Sequence, residues 1–334
     1  MAAELLDAPA VETLTIGRAL NLGLRRAMED DPTVVLMGED IGRLGGVFRI
    51  TDGLQGDFGE DRVVDTPLAE AGIVGTAVGL AMRGYRPVVE IQFDGFVFPA
   101  CNQIVTQVAK MHARSRGLVP MPMVIRIPFG GGIGAVEHHS ESPEAYFAHT
   151  PGLKVVAVSN PVDAYWGIQQ AIAAPDPVVF LEPKRRYWDK APVDTSVTPE
   201  PLFGSRVVRA GDDVTVLAYG PMVKTALQAA EAAESEGRSL EVVDLRTISP
   251  LDLDPVIESV RRTGRCVVVH EAPVTLGLGA EIAARITESC FHSLEAPVLR
   301  VGGYDVPYPP SKLEEDYLPD LDRVLDAVDR AMGF

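Results

Sequence analysis

Cysteine is scarce in this chain. Cys101, Cys266 and Cys290 are odd in number, far apart and without a CxxC pair, which excludes a disulfide framework and argues against a zinc site. Positive charge is also short: 30 Lys and Arg against 47 Asp and Glu leave a formal net charge of −17. Such a surface repels phosphate backbones and anionic bilayers, so neither nucleic acid nor a membrane is expected as a partner. No apolar run reaches the roughly 20 residues that span a bilayer, and the uncharged stretch Ala71 to Met82 falls well short. The first dozen residues hold Glu4, Asp7 and Glu12 and no basic residue, unlike a secretory or transit peptide, so the cytoplasm is the expected compartment. GxxxxGK(S/T) occurs nowhere, which excludes a P-loop.

What is present is the composition of a folded protein, 46% hydrophobic and 23% charged. Its 334 residues exceed the ~250 at which single cores stop growing, so two domains are expected. From Val34 short β-branched runs alternate with helical patterns, the signature of an α/β protein with a mostly parallel sheet covered by helices. Strands are predicted at Val34 to Met37, Arg86 to Phe93, Met123 to Ile127, Lys154 to Val158 and Val178 to Leu181. Helices are predicted at Ile16 to Glu29, Pro67 to Met82, Pro99 to Ala113 and Pro161 to Ala173, three of them opened by proline. Lys184 to Arg206 is charged, carries Pro192, Pro199 and Pro201 and shows no period, so it reads as a linker. A second α/β alternation follows from Asp213 and closes with a helix at Leu321 to Met332. The expected fold is therefore two doubly wound α/β domains, 1–185 and 205–334, joined by a linker at 186–204.

Chemistry concentrates in the first domain. Thr66 can cap and Pro67 can begin a helix that carries no charge from Ala71 to Met82, so this helix is expected to be buried all round. Gly72, Gly75 and Gly79 weaken it by about 1 kcal/mol each relative to alanine, which implies close approach by another segment or a ligand. Glu70 is its single ionisable group. Buried, it must lose its charge or find a partner, although an acid at the positive end of a helix is also a common, harmless placement.

The strand ending Glu90-Ile-Gln92-Phe93 runs into Asp94-Gly-Phe96, setting Gln92 and Phe96 at a strand's C-terminal end, where open parallel sheets bind ligands and where a flat heterocycle would fit. Aromatics at such a place equally serve the core. The glycine run 130–134 lacks the spacing of a dinucleotide fingerprint and reads as a flexible turn delivering His138 and His139, of which one can face a given pocket. His112, His149, His270 and His292 read as structural.

Together these segments resemble the beta subunits of the thiamine diphosphate-dependent 2-oxo acid dehydrogenases. The likeness rests on Asp65-Thr-Pro-Leu-Ala-Glu70, Glu90-Ile-Gln92-Phe93, His139-Ser-Glu-Ser-Pro-Glu-Ala-Tyr-Phe-Ala-His149 and Leu181-Glu-Pro-Lys184, and runs from Met37-Gly-Glu39-Asp40 to Gly303-Tyr-Asp-Val-Pro-Tyr-Pro-Pro310. It implies a transketolase-like pyrimidine-binding domain followed by a transketolase C-terminal-like domain. By resemblance Glu70 hydrogen-bonds the aminopyrimidine of thiamine diphosphate and drives the imino tautomer that removes the thiazolium C2 proton, a role suited to an acid of raised pKa. Leu68, Gln92 and Phe96 match positions lining the same ring, and Phe96 stands where related chains can carry tyrosine, so a hydroxyl contact is lost. Glu39 matches an acid near Glu70, and His139 matches a histidine facing the substrate or the lipoyl group.

The resemblance also implies what is missing. The Gly-Asp-Gly stretch that holds the diphosphate through Mg2+ in thiamine enzymes is absent, so an alpha subunit is expected to bring that half in an alpha2-beta2 tetramer. The acyl group would pass to lipoyl-lysine on an acyltransferase, with the second domain serving assembly and docking. Basic clusters at Arg114 to Arg116 or Lys184 to Arg186 would offset repulsion from an acidic lipoyl domain. Family members often hold potassium with an aspartate that Ala174 replaces here, which argues against that ion. His270-Glu-Ala-Pro-Val-Thr, Glu295-Ala-Pro-Val-Leu-Arg300 and Gly303-Tyr-Asp305 look more like the branched-chain (2-oxoisovalerate) enzymes than the pyruvate enzymes. A pyruvate or acetoin dehydrogenase beta subunit is the alternative within the class, and a non-catalytic assembly subunit the alternative outside it.

Overall fold

The computed structural model describes residues 11–197 and 199–334. The first ten residues, on which the expectations for a leader and for the start of the first domain fall, lie outside the described residues. Fourteen strands follow in chain order among the described residues: β1 Val11–Thr15, β2 Val34–Gly38, β3 Val63–Asp65, β4 Arg86–Glu90, β5 Val124–Phe129, β6 Lys154–Ala157, β7 Val178–Pro183, β8 Lys190–Asp194, β9 Arg206–Arg209, β10 Val214–Ala218, β11 Leu240–Asp244, β12 Thr247–Ser249, β13 Cys266–Pro273 and β14 Leu299–Gly303. They form two main sheets, in the orders β12-β6-β7-β5-β4-β2-β3 and β14-β13-β10-β11-β9, and a separate β1–β8 pair. Neighbours within each main sheet are parallel except at the edges, where β12 runs against β6 and β9 against β11.

The central strands are mostly apolar because helices cover both faces of the first sheet, with Glu90, Arg126 and Glu182 as the charged exceptions. Along β2 the side chains alternate: Val34 and Leu36 join the core shared with helices Ile16–Asp30 and Pro161–Ala173, whereas Val35 and Met37 join the core under helix Glu70–Met82. Helix starts are set locally. The Thr15 hydroxyl accepts from the Arg18 N–H at 3.1 Å, and Asn160 accepts from Asp163 N–H at 3.0 Å ahead of Pro161.

Four expectations are corrected. The helix foreseen from Pro67 begins at Glu70, with Ala69 at its N-cap and no side-chain cap. Thr66 does not cap it: it lies three residues before the N-cap, its N–H prolongs the β2–β3 pairing by donating to Gly38 O at 2.9 Å, and its hydroxyl has no partner among the described residues. The continuous helix foreseen at 99–113 is a 3₁₀ segment Asp94–Ala100, a π turn Gln103–Val108 and a short α-helix Met111–Arg114. The segment 186–204, expected to lack structure, contains β8, which pairs with β1 in antiparallel register Thr15↔Lys190 to Val11↔Asp194. Finally, helix Glu70–Met82 is not buried all round. Ile73, Val74, Ala77, Val78 and Ala81 are buried, while Ala71, Gly72, Thr76, Gly79 and Met82 are exposed.

The two domains are tied by buried and half-buried polar contacts. The Tyr219 hydroxyl donates to Glu144 at 2.7 Å, Ser159 donates to Asp244 at 2.5 Å, and β12 crosses to the edge of the first sheet.

Candidate functional site

Glu39, Leu68, Glu70, Gln92, Phe96 and His139 all follow the C-terminal ends of four adjacent parallel strands, β3, β2, β4 and β5. Glu39 leaves β2, Leu68 and Glu70 leave β3, Gln92 and Phe96 leave β4, and His139 ends the loop after β5. Parallel strand ends carry free backbone groups and diverging loops, which makes this edge the ligand-binding edge of such a sheet.

Glu70 is the first residue of its helix and only 7% exposed. Its charge reaches Glu39. Burial first, then Glu70 and then Asp40, raise the Glu39 carboxyl above its ordinary value. Glu39 Oε1 and Thr66 Oγ1 are buried without a hydrogen-bond partner among the described residues. Leu68, by contrast, lies between Thr66 and Glu70 in sequence and is 78% exposed. Two acids, two orphaned polar atoms and a bare apolar side chain form one wall of a polar site. Such a wall suits a flat ring that offers donors on its edge.

The second wall is aromatic. Phe93 stacks on the His139 imidazole, and Phe96 meets it edge-on at 5.1 Å between centroids. His138 is exposed, whereas His139 is half-buried with an unpartnered Nδ1. Behind the ring Lys184 donates to His139 O at 2.6 Å and to the Asp94 carboxylate, and Asp94 also accepts from Glu141 N–H at 2.8 Å. Burial pushes Asp94 up and Lys184 down, and each is opposed by the other's charge. Helix Glu70–Met82 packs on the 3₁₀ segment bearing Phe96, and that segment packs on Glu137–His139, so the two walls meet.

Several supporting residues escaped the sequence reading. Arg126 of β5 is 1% exposed and bridges Glu90 of β4 at 2.6 Å and Glu182 of β7 at 2.6 and 2.9 Å, while Tyr187 donates to Glu182 at 2.6 Å. Burial alone would lower the guanidinium, yet Glu182 and Glu90 outweigh it and raise it. Charges inside otherwise apolar strands were the available signal. Lys184 to Arg186 is not a free basic surface: Lys184 is buried on Asp94, Arg185 lies 3.4 Å from Glu271, and Arg186 donates to Pro221 O at 3.2 Å.

The expected close approach to the helix glycines does not come from this chain. A Cβ at Gly72 or Gly75 would meet only ordinary contacts, and one at Gly79 would meet nothing within 4 Å. Two cavities of about 340 and 940 Å³ lie between the domains; the smaller reaches Glu141, and neither is lined by Glu70. At the strand ends Leu68 stands 78% exposed beside the buried Glu70, so this side of the site faces outward. In the second domain His270 is fully buried, its pKa lowered to about 4 by burial, with Nδ1 3.0 Å from Ala272 O and Gly277, Gly279 and Gly302 packed round the ring. Near Ala174, Arg86 donates to Ile172 O at 2.7 Å and to Ala174 O at 3.2 Å. Among the described residues no group of three or more His, Cys, Asp or Glu is arranged to hold a metal ion, and no helix is long and apolar enough to cross a membrane.

Two doubly wound domains with acids and aromatics at the strand ends of the first define a transketolase-type protein. Residues 12–189 match the transketolase pyrimidine-binding domain and residues 204–324 the transketolase C-terminal domain. A solved structure described as a split-gene transketolase, inactive beta4 tetramer, superimposes with a TM-score of 0.76 at 22% identity over 96% of this chain and 98% of that one. The chain is 63% identical over 326 residues to the pyruvate dehydrogenase E1 component subunit beta of Leifsonia xyli subsp. xyli, covering 98% of this chain and 97% of that protein. It is 56% identical over 323 residues to the 3-methyl-2-oxobutanoate dehydrogenase subunit beta of Mycobacterium tuberculosis, covering 96% and 92%. This chain belongs to the 2-oxo acid dehydrogenase beta-subunit family.

Proposed function

We propose that this chain is the pyrimidine-holding half of a thiamine diphosphate-dependent 2-oxo acid dehydrogenase, with branched-chain 2-oxo acids as substrates. Thiamine diphosphate, when bound, supplies the carbon nucleophile and electron sink for loss of CO2. Glu70 meets the aminopyrimidine edge with its carboxyl oxygen and exchanges a proton with the ring there, and Glu39, its own carboxyl raised by burial and by Glu70, stands beside it. Leu68, Gln92 and Phe96 line the ring, and His139 donates a proton to, or anchors the charge of, the substrate or the incoming lipoyl group. The observation that carries this reading is the buried Glu70 beside a half-buried Glu39 whose Oε1 has no partner among the described residues, both at the strand ends.

The outward-facing side of the site and the missing Gly-Asp-Gly stretch support an alpha subunit that brings the diphosphate and Mg2+, in an alpha2-beta2 tetramer. The acyl group then passes to lipoyl-lysine on a dihydrolipoyl acyltransferase, which the second domain helps to dock. With the cognate alpha subunit, Glu70→Ala is expected to lower 2-oxo acid turnover by at least about 100-fold with the tetramer intact. Turnover within about threefold of the parent, or turnover by this chain unaided, would sink the proposal.

Branched-chain specificity rests on the motifs around His139, His270 and Arg300. Pyruvate is the second reading, favoured by the name of the relative from Leifsonia xyli. The difference of two methyl groups is worth only ~1–3 kcal/mol each in a pocket, so the readout is kcat/KM for 3-methyl-2-oxobutanoate against pyruvate on one preparation. A ratio below one favours pyruvate.

A further inference from the structure

The glycine turn that leads to His139 is held from the other domain. Gly130, Gly132 and Gly134 have φ of 81°, 83° and 71°, a conformation that glycine alone adopts freely. The turn aims successive amides at two carboxylates of the second domain. Glu271 accepts from Gly131 N–H; Glu314 accepts from Gly132 N–H at 2.8 Å and from Gly134 N–H at 2.9 Å. The Tyr308 hydroxyl donates to Glu314 at 2.6 Å and accepts from Gly132 N–H at 3.3 Å. All three side chains are buried, and a Cβ at Gly131 would collide with the Tyr308 ring. Consecutive amides of this kind make an anion-binding nest, and here the chain fills the nest with its own carboxylates. The far end of the same loop is fixed by Lys184 on His139 O. Released from Glu271 and Glu314, a segment with three glycines in the left-handed region would have no fixed path to the imidazole.

We infer that Glu314, with Tyr308 and Glu271, is a positioning residue for His139, so that the second domain sets the geometry of the first domain's site. This rests on the reading that His139 acts on the substrate or acceptor. It gives the second domain a part in turnover besides assembly.

The test reads 2-oxo acid turnover with a lipoyl acceptor in the complex with the cognate alpha subunit. His139→Ala sets how much activity can be lost. Glu314→Ala is expected to lower turnover about 10- to 100-fold, and Glu314→Gln, which keeps one acceptor oxygen, to recover at least about threefold of that. In the His139→Ala background, Glu314→Ala should cost less than about twofold, because the group it positions is gone. Losses that multiply in the double variant overturn the inference, as does Glu314→Ala turnover within about twofold of the parent. If Glu314→Ala does not assemble, Tyr308→Phe keeps the ring and carries the same comparison. A loss of about 3- to 10-fold that vanishes in the His139→Ala background supports the inference, and one that persists overturns it. If His139→Ala turns over like the parent, the reading of His139 falls and this inference with it; if only the non-additivity fails, that reading stands.

Discussion

The His139 imidazole lies on the Phe93 ring with centroids 4.0 Å apart and planes 26° from parallel. One ring comes from the end of β4 and the other from the loop after β5, so the stack joins two neighbouring strand ends. It leaves Nδ1 buried and unpartnered. Ring packing and the backbone bond from Lys184 hold the imidazole at its own end of the loop, and no side-chain acceptor meets Nδ1 among the described residues.

Phe93→Leu keeps most of the bulk and removes the stack. Aromatic pairs contribute ~0.5–1.5 kcal/mol beyond area, so turnover is expected to fall about 3- to 10-fold. Steady-state kinetics beside a melting curve will check this: the melting temperature should move little while the rate drops.

Lys184 and Asp94 are an ion pair with both side chains almost fully buried. Lys184→Met strands the carboxylate and should destabilise the chain by ~3–5 kcal/mol, whereas Lys184→Met with Asp94→Asn should recover more than half of the loss. Urea midpoints of the parent, single and double variants measure both. A double variant no more stable than the single would contradict the pairing.

Glu144 is fully buried and accepts from Tyr219, and burial pushes its carboxyl from 4.5 up to about 7. The folded protein keeps a proton that the unfolded chain releases near 4.5. Its stabilising contribution is complete below that value and is lost as pH rises through 7, on the order of 3 kcal/mol in all. Asp244, also pushed up to about 7 by burial, slopes the same way. Denaturation midpoints should fall between pH 5 and pH 8, and Glu144→Gln should flatten the fall.

Arg86 already serves the carbonyls of Ile172 and Ala174. Exchanging potassium for sodium at constant ionic strength should leave turnover unchanged. Arg86→Ala should cost about 1–3 kcal/mol of stability, since a charged donor to two carbonyls is lost from a half-buried place. Steady-state rates in the two salts check the first statement, and thermal melts of parent and variant check the second.

Most parallel strands were legible because burial on both faces writes them as Val and Ile runs between turn residues; the three-residue β3 was too short to show such a run. The strand-end residues were legible because Glu70, Gln92 and His139 sit just past those runs. β1 and β8 were not: Val11–Thr15 is mostly exposed, Lys190–Asp194 contains Pro192, and their pairing spans the whole first domain. Lys184 looked like surface charge, since nothing local announces that Asp94 waits inside. Glu271 and Glu314 were silent for another reason. Their partners are backbone amides of a distant loop, and no side-chain pattern records such a bond. The uncharged helix 71–82 was read correctly as apolar but not as half-uncovered, because composition does not say which polypeptide does the covering.

That bare stripe of Gly72, Gly79 and Met82, continued by Leu68, has a cellular consequence. If the proposed alpha subunit seats there, chain made in excess of it is left with a sticky flank, a target for chaperones and proteases. On the proposed reading, matched dosage of this chain and an alpha subunit, rather than the intrinsic solubility of either, limits how much intact particle a cell can hold.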